Sequence, residues 1–188
     1  GKTDLKYKQN STSGQTFLID GLYNINDTKF KKLKSEGLLD KSLSSFNLNF
    51  ELDNKIDLPI LNYSNNDQKI ATIEAEVKLQ KKLLNIIDLT YTEGKNQFYI
   101  KNFKANRNWR LKSFDKIKIK TFEKNLINND FEISFRKNLQ IKGAKYDGKN
   151  LINIINNKNE GKMFQKINKE IKIEIDNNNT DIAKKINN

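Results

Sequence analysis

The stretch Thr72-Ile73-Glu74-Ala75-Glu76-Val77-Lys78-Leu79 decides the fold, because apolar residues at its odd positions alternate with polar or charged residues at its even positions. Successive side chains of a β-strand point to opposite faces, so a period of two predicts a strand with one dry face and one wet face. The same alternation returns in segments 46–52, 116–120, 131–136 and 171–176. We therefore expect a mostly β protein.

Less regular strand patterns occupy 16–25, 83–92, 96–104 and 138–146, and short polar turns separate them. Parallel neighbours need a crossover of a dozen or more residues, so this close spacing predicts a long antiparallel meander. One short helix is expected at 148–156, with Asp147 as its N-cap, and a second at 180–188. The short polar stretches at 62–69 and 156–161 are candidate linkers, and residues 1–188 are expected to form a single unit.

The composition excludes several kinds of chemistry. The 188 residues include no Cys and no His, which rules out a disulfide framework, a zinc finger and an imidazole acid or base. Hydrophobic residues make up 36% of the chain, so the apolar core is thin or one-sided. We expect no enzyme activity, no cofactor and no metal site.

The net charge of +12 raises nucleic acid as a partner. The lysines are spread along the chain, however, and the longest basic runs contain two residues, so no patch concentrates the charge. A basic β-domain that stacks bases on Tyr99, Phe103 and Trp109 is the alternative function. Trp109 lies between Arg107 and Arg110, and a turn whose Trp packs inward explains that cluster equally well.

Two interpretations of the apolar strand positions stay open. The residues either fill the ordinary core of a sandwich or barrel, or they line an open groove for an apolar ligand. Periodicity alone does not separate these interpretations. The candidate groove residues are Ile73, Val77, Ile100, Ile117, Ile119, Phe131, Ile133, Phe135, Ile171, Ile173 and Ile175.

Two pairs of acidic residues are the candidates for acid–base or metal chemistry. Glu74 and Glu76 lie two apart on one strand, as do Glu174 and Asp176. Each alternates with apolar residues and so belongs to the wet face, where a solvated carboxylate is the default. Lysines 116, 118, 120 and 172 are expected on the same outer face or on the rims of a groove, where they could attract anionic headgroups.

Three features occur in a recognisable order: a strand, a run of amphipathic strands, and a segment that enters a short helix before a further strand. The segments read Phe17-Leu18-Ile19-Asp20-Gly21, then Leu139-Gln140-Ile141-Lys142-Gly143-Ala144-Lys145-Tyr146-Asp147-Gly148-Lys149-Asn150-Leu151-Ile152, then Ile171-Lys172-Ile173-Glu174-Ile175-Asp176. This order resembles the AsmA-like proteins of Gram-negative cell envelopes, and the TamB/YhdP-type branch of alphaproteobacteria in particular. The resemblance covers most of the chain from about residue 16 onward.

The resemblance implies a twisted, taco-like sheet curved into an open groove, whose concave apolar side takes phospholipid acyl chains. It also implies a part in phospholipid transport between the inner and outer membranes, or in outer membrane biogenesis, and no catalytic residues. The expected location is the periplasm, with an anchor in the inner membrane outside this chain. Because the first residue is Gly, we expect a segment of a longer protein.

Overall fold

The computed structural model describes residues 3–10, 14–24, 29–53, 55–65, 69–106, 108, 110–135, 138–150 and 171–179. These residues form β-strands and one 3₁₀ helix, Pro59–Leu61. The strands are β1 (Thr3–Asn10), β2 (Gly14–Tyr23), β3 (Lys31–Leu39), β4 (Leu43–Leu52), β5 (Asp57–Leu58), β6 (Tyr63–Ser64), β7 (Ala71–Gln80), β8 (Leu83–Glu93), β9 (Asn96–Asn106), β10 (Leu111–Glu123), β11 (Leu126–Phe135), β12 (Leu139–Asp147) and β13 (Ile171–Asn179).

One sheet contains eleven of these strands, in the order β1-β2-β3-β4-β7-β8-β9-β10-β11-β12-β13. Every neighbouring pair is antiparallel except β12 and β13, which run parallel. The sheet is not closed into a barrel, since β1 and β13 form its two edges. The expected mostly β, mostly antiparallel meander is therefore confirmed.

The helices expected near the C-terminal end are absent from the described part of the chain. Residues 148–150 continue β12 into a turn, and 151–156 and 180–188 lie outside the described residues. Asp147 still acts as a local cap, because its Oδ1 accepts a hydrogen bond from the backbone N–H of Lys149 at 3.3 Å. The helix that the structure does describe, Pro59–Leu61, was not expected from the sequence.

A line of irregularities crosses three neighbouring strands. Ile87 on β8 is an extra residue opposite the step from Glu76 to Val77 on β7. On β9, Asn102 has a φ of 50°, and its side-chain amide donates to the Asp115 carboxylate on β10 at 2.7 Å. Bulges bend a strand and increase its twist, so this line bends the middle of the sheet.

Residues 55–65, named the insert from here on, form a small second layer between β4 and β7. The insert contains β5, the 3₁₀ helix and β6, and its Leu61 and Tyr63 are buried against the large sheet. Their partners in this core are Ala71, Tyr91, Ile119 and Phe131. The insert thus covers one end of one face of the sheet.

Candidate functional site

The strand register places ten of the eleven candidate groove residues on one face of the sheet, named the apolar face, and pairs the eleventh, Ile171, with Leu139. Directly opposed residues on neighbouring strands share a face, so a chain of pairs traces a row across the sheet. The central row crosses all eleven strands with one polar member, Ser35. It runs Leu5, Ile19, Ser35, Leu48, Ala75, Leu89, Ile100, Ile117, Ile133, Ile141, Ile173.

A second complete row lies two residues along each strand from the central row, beneath and beside the insert. It runs Thr3, Gly21, Leu33, Phe50, Ile73, Tyr91, Phe98, Ile119, Phe131, Gly143, Ile175. On the other side of the central row, Val77 is opposite Ile86, and Phe135 is paired with Leu139 and thereby with Ile171. With strands about 4.8 Å apart, ten intervals make each complete row about 48 Å wide.

The two interpretations left open by the sequence each apply to part of this face. Ile119 and Phe131 are buried in the core beneath the insert, and Ile73, Ile117, Ile133 and Ile175 pack against that core. The insert and its core therefore cover Ile119 and Phe131, while the other four residues are only partly buried. Val77, Ile100 and Ile173 lie outside that core, and Ile173 keeps 60% of its surface exposed.

A buried polar network fastens the insert to β10, β11 and β12. Asn129 is fully buried, and its side-chain amide donates to the Leu61 carbonyl and to Thr121 Oγ1, both at 2.8 Å. Its carbonyl oxygen accepts from the backbone N–H of Asp147, also at 2.8 Å. Tyr146 adds a bond from its hydroxyl to the Ile60 carbonyl at 2.9 Å. The insert is therefore bound to the sheet by directional bonds as well as by apolar contact.

A cluster of hydroxyl and carboxyl groups lies under the insert. The Tyr63 hydroxyl is 3.1 Å from the Tyr91 hydroxyl and donates to the buried Glu93 carboxylate at 3.3 Å. Burial raises the pKa of both Tyr63 and Tyr91, so both remain protonated hydrogen-bond donors. Asn96 donates to the same Glu93 carboxylate at 2.5 Å. The polar groups of this cluster therefore form hydrogen bonds with one another.

The opposite face, named the polar face, carries rows of paired charges. Lys116 bonds Glu132 at 2.9 Å and Lys120 bonds Asp130 at 3.4 Å, so both lysines lie within the polar face and not on a rim. Glu174 lies between Lys172 at 2.6 Å and Lys142 at 3.0 Å. The hydrogen bond from Lys172, followed by that from Lys142, lowers the pKa of Glu174 to about 2.

The carboxylates considered for catalysis or metal binding lie on this polar face in ordinary contacts. Glu74 accepts a hydrogen bond from Asn49 at 3.1 Å, and Glu76 is 3.5 Å from Lys78. Both line a shallow depression of about 370 Å³ that also includes Asp88. Within the described ranges, no group of three or more acidic residues could hold a metal ion.

The aromatic residues considered for nucleic-acid stacking are not brought together. Tyr99 lies on the polar face, where its hydroxyl donates to Asp88, while Phe103 is opposite Ile86 on the apolar face. Trp109 and Arg107 lie outside the described residues. Of the proposed stacking residues, the two that the structure describes therefore cannot contact the same strand of bases.

Searches against protein-family models, curated proteins and solved structures find no match to this chain. In the part of the chain that the structure describes, no helix is long and apolar enough to cross a membrane.

Proposed function

We propose that this chain is a non-enzymatic, lipid-binding segment of an AsmA-like envelope protein. In this proposal, the part of the apolar face beyond the insert holds phospholipid acyl chains during transport between the inner and outer membranes, or during envelope biogenesis. The central row carries the proposal: it crosses eleven strands with one polar residue, and among the described residues only the insert forms a second layer on it.

The energetics favour an acyl chain as the ligand of such a surface. Exposing a methylene to water costs about 0.8 kcal/mol, so a tail of roughly fifteen methylenes costs about 12 kcal/mol. A surface of similar aliphatic side chains lowers that cost along its whole length. The one polar residue of the row, Ser35, donates its hydroxyl to the Asn47 carbonyl at 3.0 Å, so the surface suits a ligand that slides better than one held by polar groups in a shaped pocket.

The proposal includes a curved sheet whose inner side is apolar. Support comes from the line of bulges at Ile87, Asn102 and Asp115, because bulges bend strands and increase their twist. Three nearby apolar-face residues, Val77, Ala105 and Phe114, are buried although they do not belong to the core beneath the insert. Neighbouring side chains crowd together on the inner side of a bend, which accounts for this burial.

The proposed location is the periplasm, with anchoring to the inner membrane by a segment outside this chain. This part of the proposal comes from the resemblance of the sequence to AsmA-like proteins. It is tested by expressing the longer protein and fractionating the envelope.

Site-specific photo-crosslinking tests the lipid proposal. A photoreactive amino acid at Ile100 or Ile173 is expected to capture phospholipid in cells, because both positions lie in the central row outside the buried core. Lys101 and Lys172, the adjacent residues on the polar face, are matched controls and are expected to remain unlabelled. Equal labelling of both faces, or no lipid at either apolar position, would contradict the proposal.

A further inference from the structure

The polar face has two different charge patterns. On its β10–β13 side, directly opposed residues alternate in sign along one row, which runs Lys118, Glu132, Lys142, Glu174. Opposite charges on neighbouring strands attract each other, whereas like charges directly opposite are destabilising. This side of the polar face therefore pairs its charges within the sheet.

The four middle strands, β7 to β10, break this rule in a neighbouring row. Glu76 on β7 is directly opposite Asp88 on β8, and Lys101 on β9 is directly opposite Lys116 on β10. The two like-charge pairs lie side by side, because Asp88 is in turn opposite Lys101. The row therefore has two carboxylates on one half and two ammonium groups on the other.

The row two residues along these strands separates its charges in the same direction. It runs Glu74, Thr90, Tyr99, Lys118 from β7 to β10, so its carboxylate is again on β7 and its ammonium group on β10. The six charged residues of the two rows are named the bipolar patch: Glu74, Glu76, Asp88, Lys101, Lys116 and Lys118.

The charges of the bipolar patch are accessible. Glu74, Lys101 and Lys118 are exposed, and the two lysines make no ion pair with another described residue. Glu76 and Lys116 keep 42–43% of their side-chain surface exposed despite their ion pairs within the chain. The three carboxylates line the shallow depression of about 370 Å³, so a lysine side chain of another molecule can enter between them.

We infer that the bipolar patch binds the bipolar patch of a second copy of this chain, about a twofold axis that runs parallel to the strands between β8 and β9. Such an axis turns the two polar faces toward each other and sets β7 of each copy over β10 of the other. Residues of one row share a height along the strands, so each carboxylate faces a lysine of the second copy. The facing pairs are Glu74 with Lys118, Glu76 with Lys116, and Asp88 with Lys101.

Two physical arguments support this arrangement. Sheets that pack face to face keep their strand directions within about 30° of each other, which fits an axis along the strands. Each like-charge pair of one copy also meets a pair of the opposite sign, and such complementarity fixes the register of an interface. The inference goes beyond the proposed function, because both apolar faces point outward in this dimer and remain accessible.

Sedimentation equilibrium of the full chain tests the inference. We expect a dimer whose dissociation constant rises with added salt, because salt screens the facing charges. Lys118→Glu places like charges opposite each other at two symmetric positions and should weaken the dimer about 30-fold, as should Glu74→Lys. An equal mixture of these two variants restores both attractions in a heterodimer, so it should associate about as tightly as the unmodified chain.

Lys142→Glu is the matched control, because Lys142 lies in the same row as Lys118 but on β12, outside the bipolar patch. It should leave the dissociation constant of the dimer within about twofold.

Three results would overturn the inference. The first is an unmodified chain that remains monomeric at low salt, including one whose lysines bind a DNA duplex instead. The second is equal weakening by Lys142→Glu and Lys118→Glu. The third is a mixture of Lys118→Glu and Glu74→Lys that associates as weakly as either variant alone. Lipid capture at Ile100 requires no dimer, so the proposed function would survive all three results.

Discussion

Replacing Asn129 by Ala is expected to detach the insert from the sheet. The substitution removes three hydrogen bonds of 2.8 Å and leaves the Leu61 carbonyl and the Asp147 N–H without that partner. A buried polar group left unsatisfied costs about 1–3 kcal/mol, so two such groups give a loss of about 3 kcal/mol in the free energy of unfolding. The neighbouring Asn128→Ala loses one bond of 3.3 Å and should cost about 1 kcal/mol or less.

Urea denaturation measures both losses. With a slope of about 2 kcal/mol per molar urea, Asn129→Ala should lower the unfolding midpoint by about 1.5 M, and Asn128→Ala by about 0.5 M or less. Hydrogen exchange provides a second readout, because residues 55–65 should lose protection before the central strands do. The reasoning is refuted if the two variants unfold at the same urea concentration, or if protection in the insert is unchanged.

Three further predictions follow from the packing and the charges. Gly143→Ala should lower the free energy of unfolding by about 2 kcal/mol or more in a thermal melt, because its Cβ would lie 2.4 Å from the Phe131 backbone; an unchanged melting temperature would contradict this. Lys31→Ala should cost about 3 kcal/mol in urea denaturation, because it leaves Asp53 without its 2.6 Å ion pair, and a cost below about 1 kcal/mol would show the pair to be unimportant. The Glu174 carboxyl should titrate at about 2 by NMR, so any stability from its lysine contacts is complete above the ordinary pKa of 4.5 and is lost as the pH falls toward 2. Replacing Lys172, the lysine on the same strand, should raise the pKa of Glu174 toward 4.5. A pKa already near 4.5 in the unmodified chain would contradict the contact between Glu174 and Lys172.

The strands with strict alternation were predictable because burial of one face imposes a period of two on the sequence. Every second residue is apolar throughout β7 and over 171–175 of β13, and the register joins these residues into rows. The strand β3 was missed because its positions on the apolar face include Ser35 and Gly37. Gly37 is required there for space, since a Cβ would lie 2.2 Å from the Ser45 carbonyl.

The irregular strands have a physical explanation in the bulges. An extra residue at Ile87 moves the alternation in β8 by one position, so Leu89 and Ile86 share a face although three residues separate them in numbering. Asn102 and Asp115 do the same on β9 and β10. The position of a bulge depends on pairing with the neighbouring strands, so the sequence of one strand alone does not predict it.

The insert was the main feature that sequence reasoning missed. Residues 62–69 were interpreted as a linker, yet Asn62 and Tyr63 belong to the covering layer. A signal was present in the run Ile56-Asp57-Leu58-Pro59-Ile60-Leu61, whose apolar residues needed burial and lay outside any strand of the meander. Its position on the apolar face was not predictable, because Asn129 and Tyr146, which hold it, are distant in the sequence.

The most direct test of the central claim locates an acyl chain on the apolar face. A phospholipid with a nitroxide on its tail should broaden the methyl NMR signals of Ile100 and Ile173 in the full chain, because both lie in the uncovered part of the central row. Ile56 in the insert, which packs against the buried core, should keep its signal. Selective broadening at Ile100 and Ile173 is the predicted result; unchanged signals at both, or equal broadening at Ile56, would contradict the account.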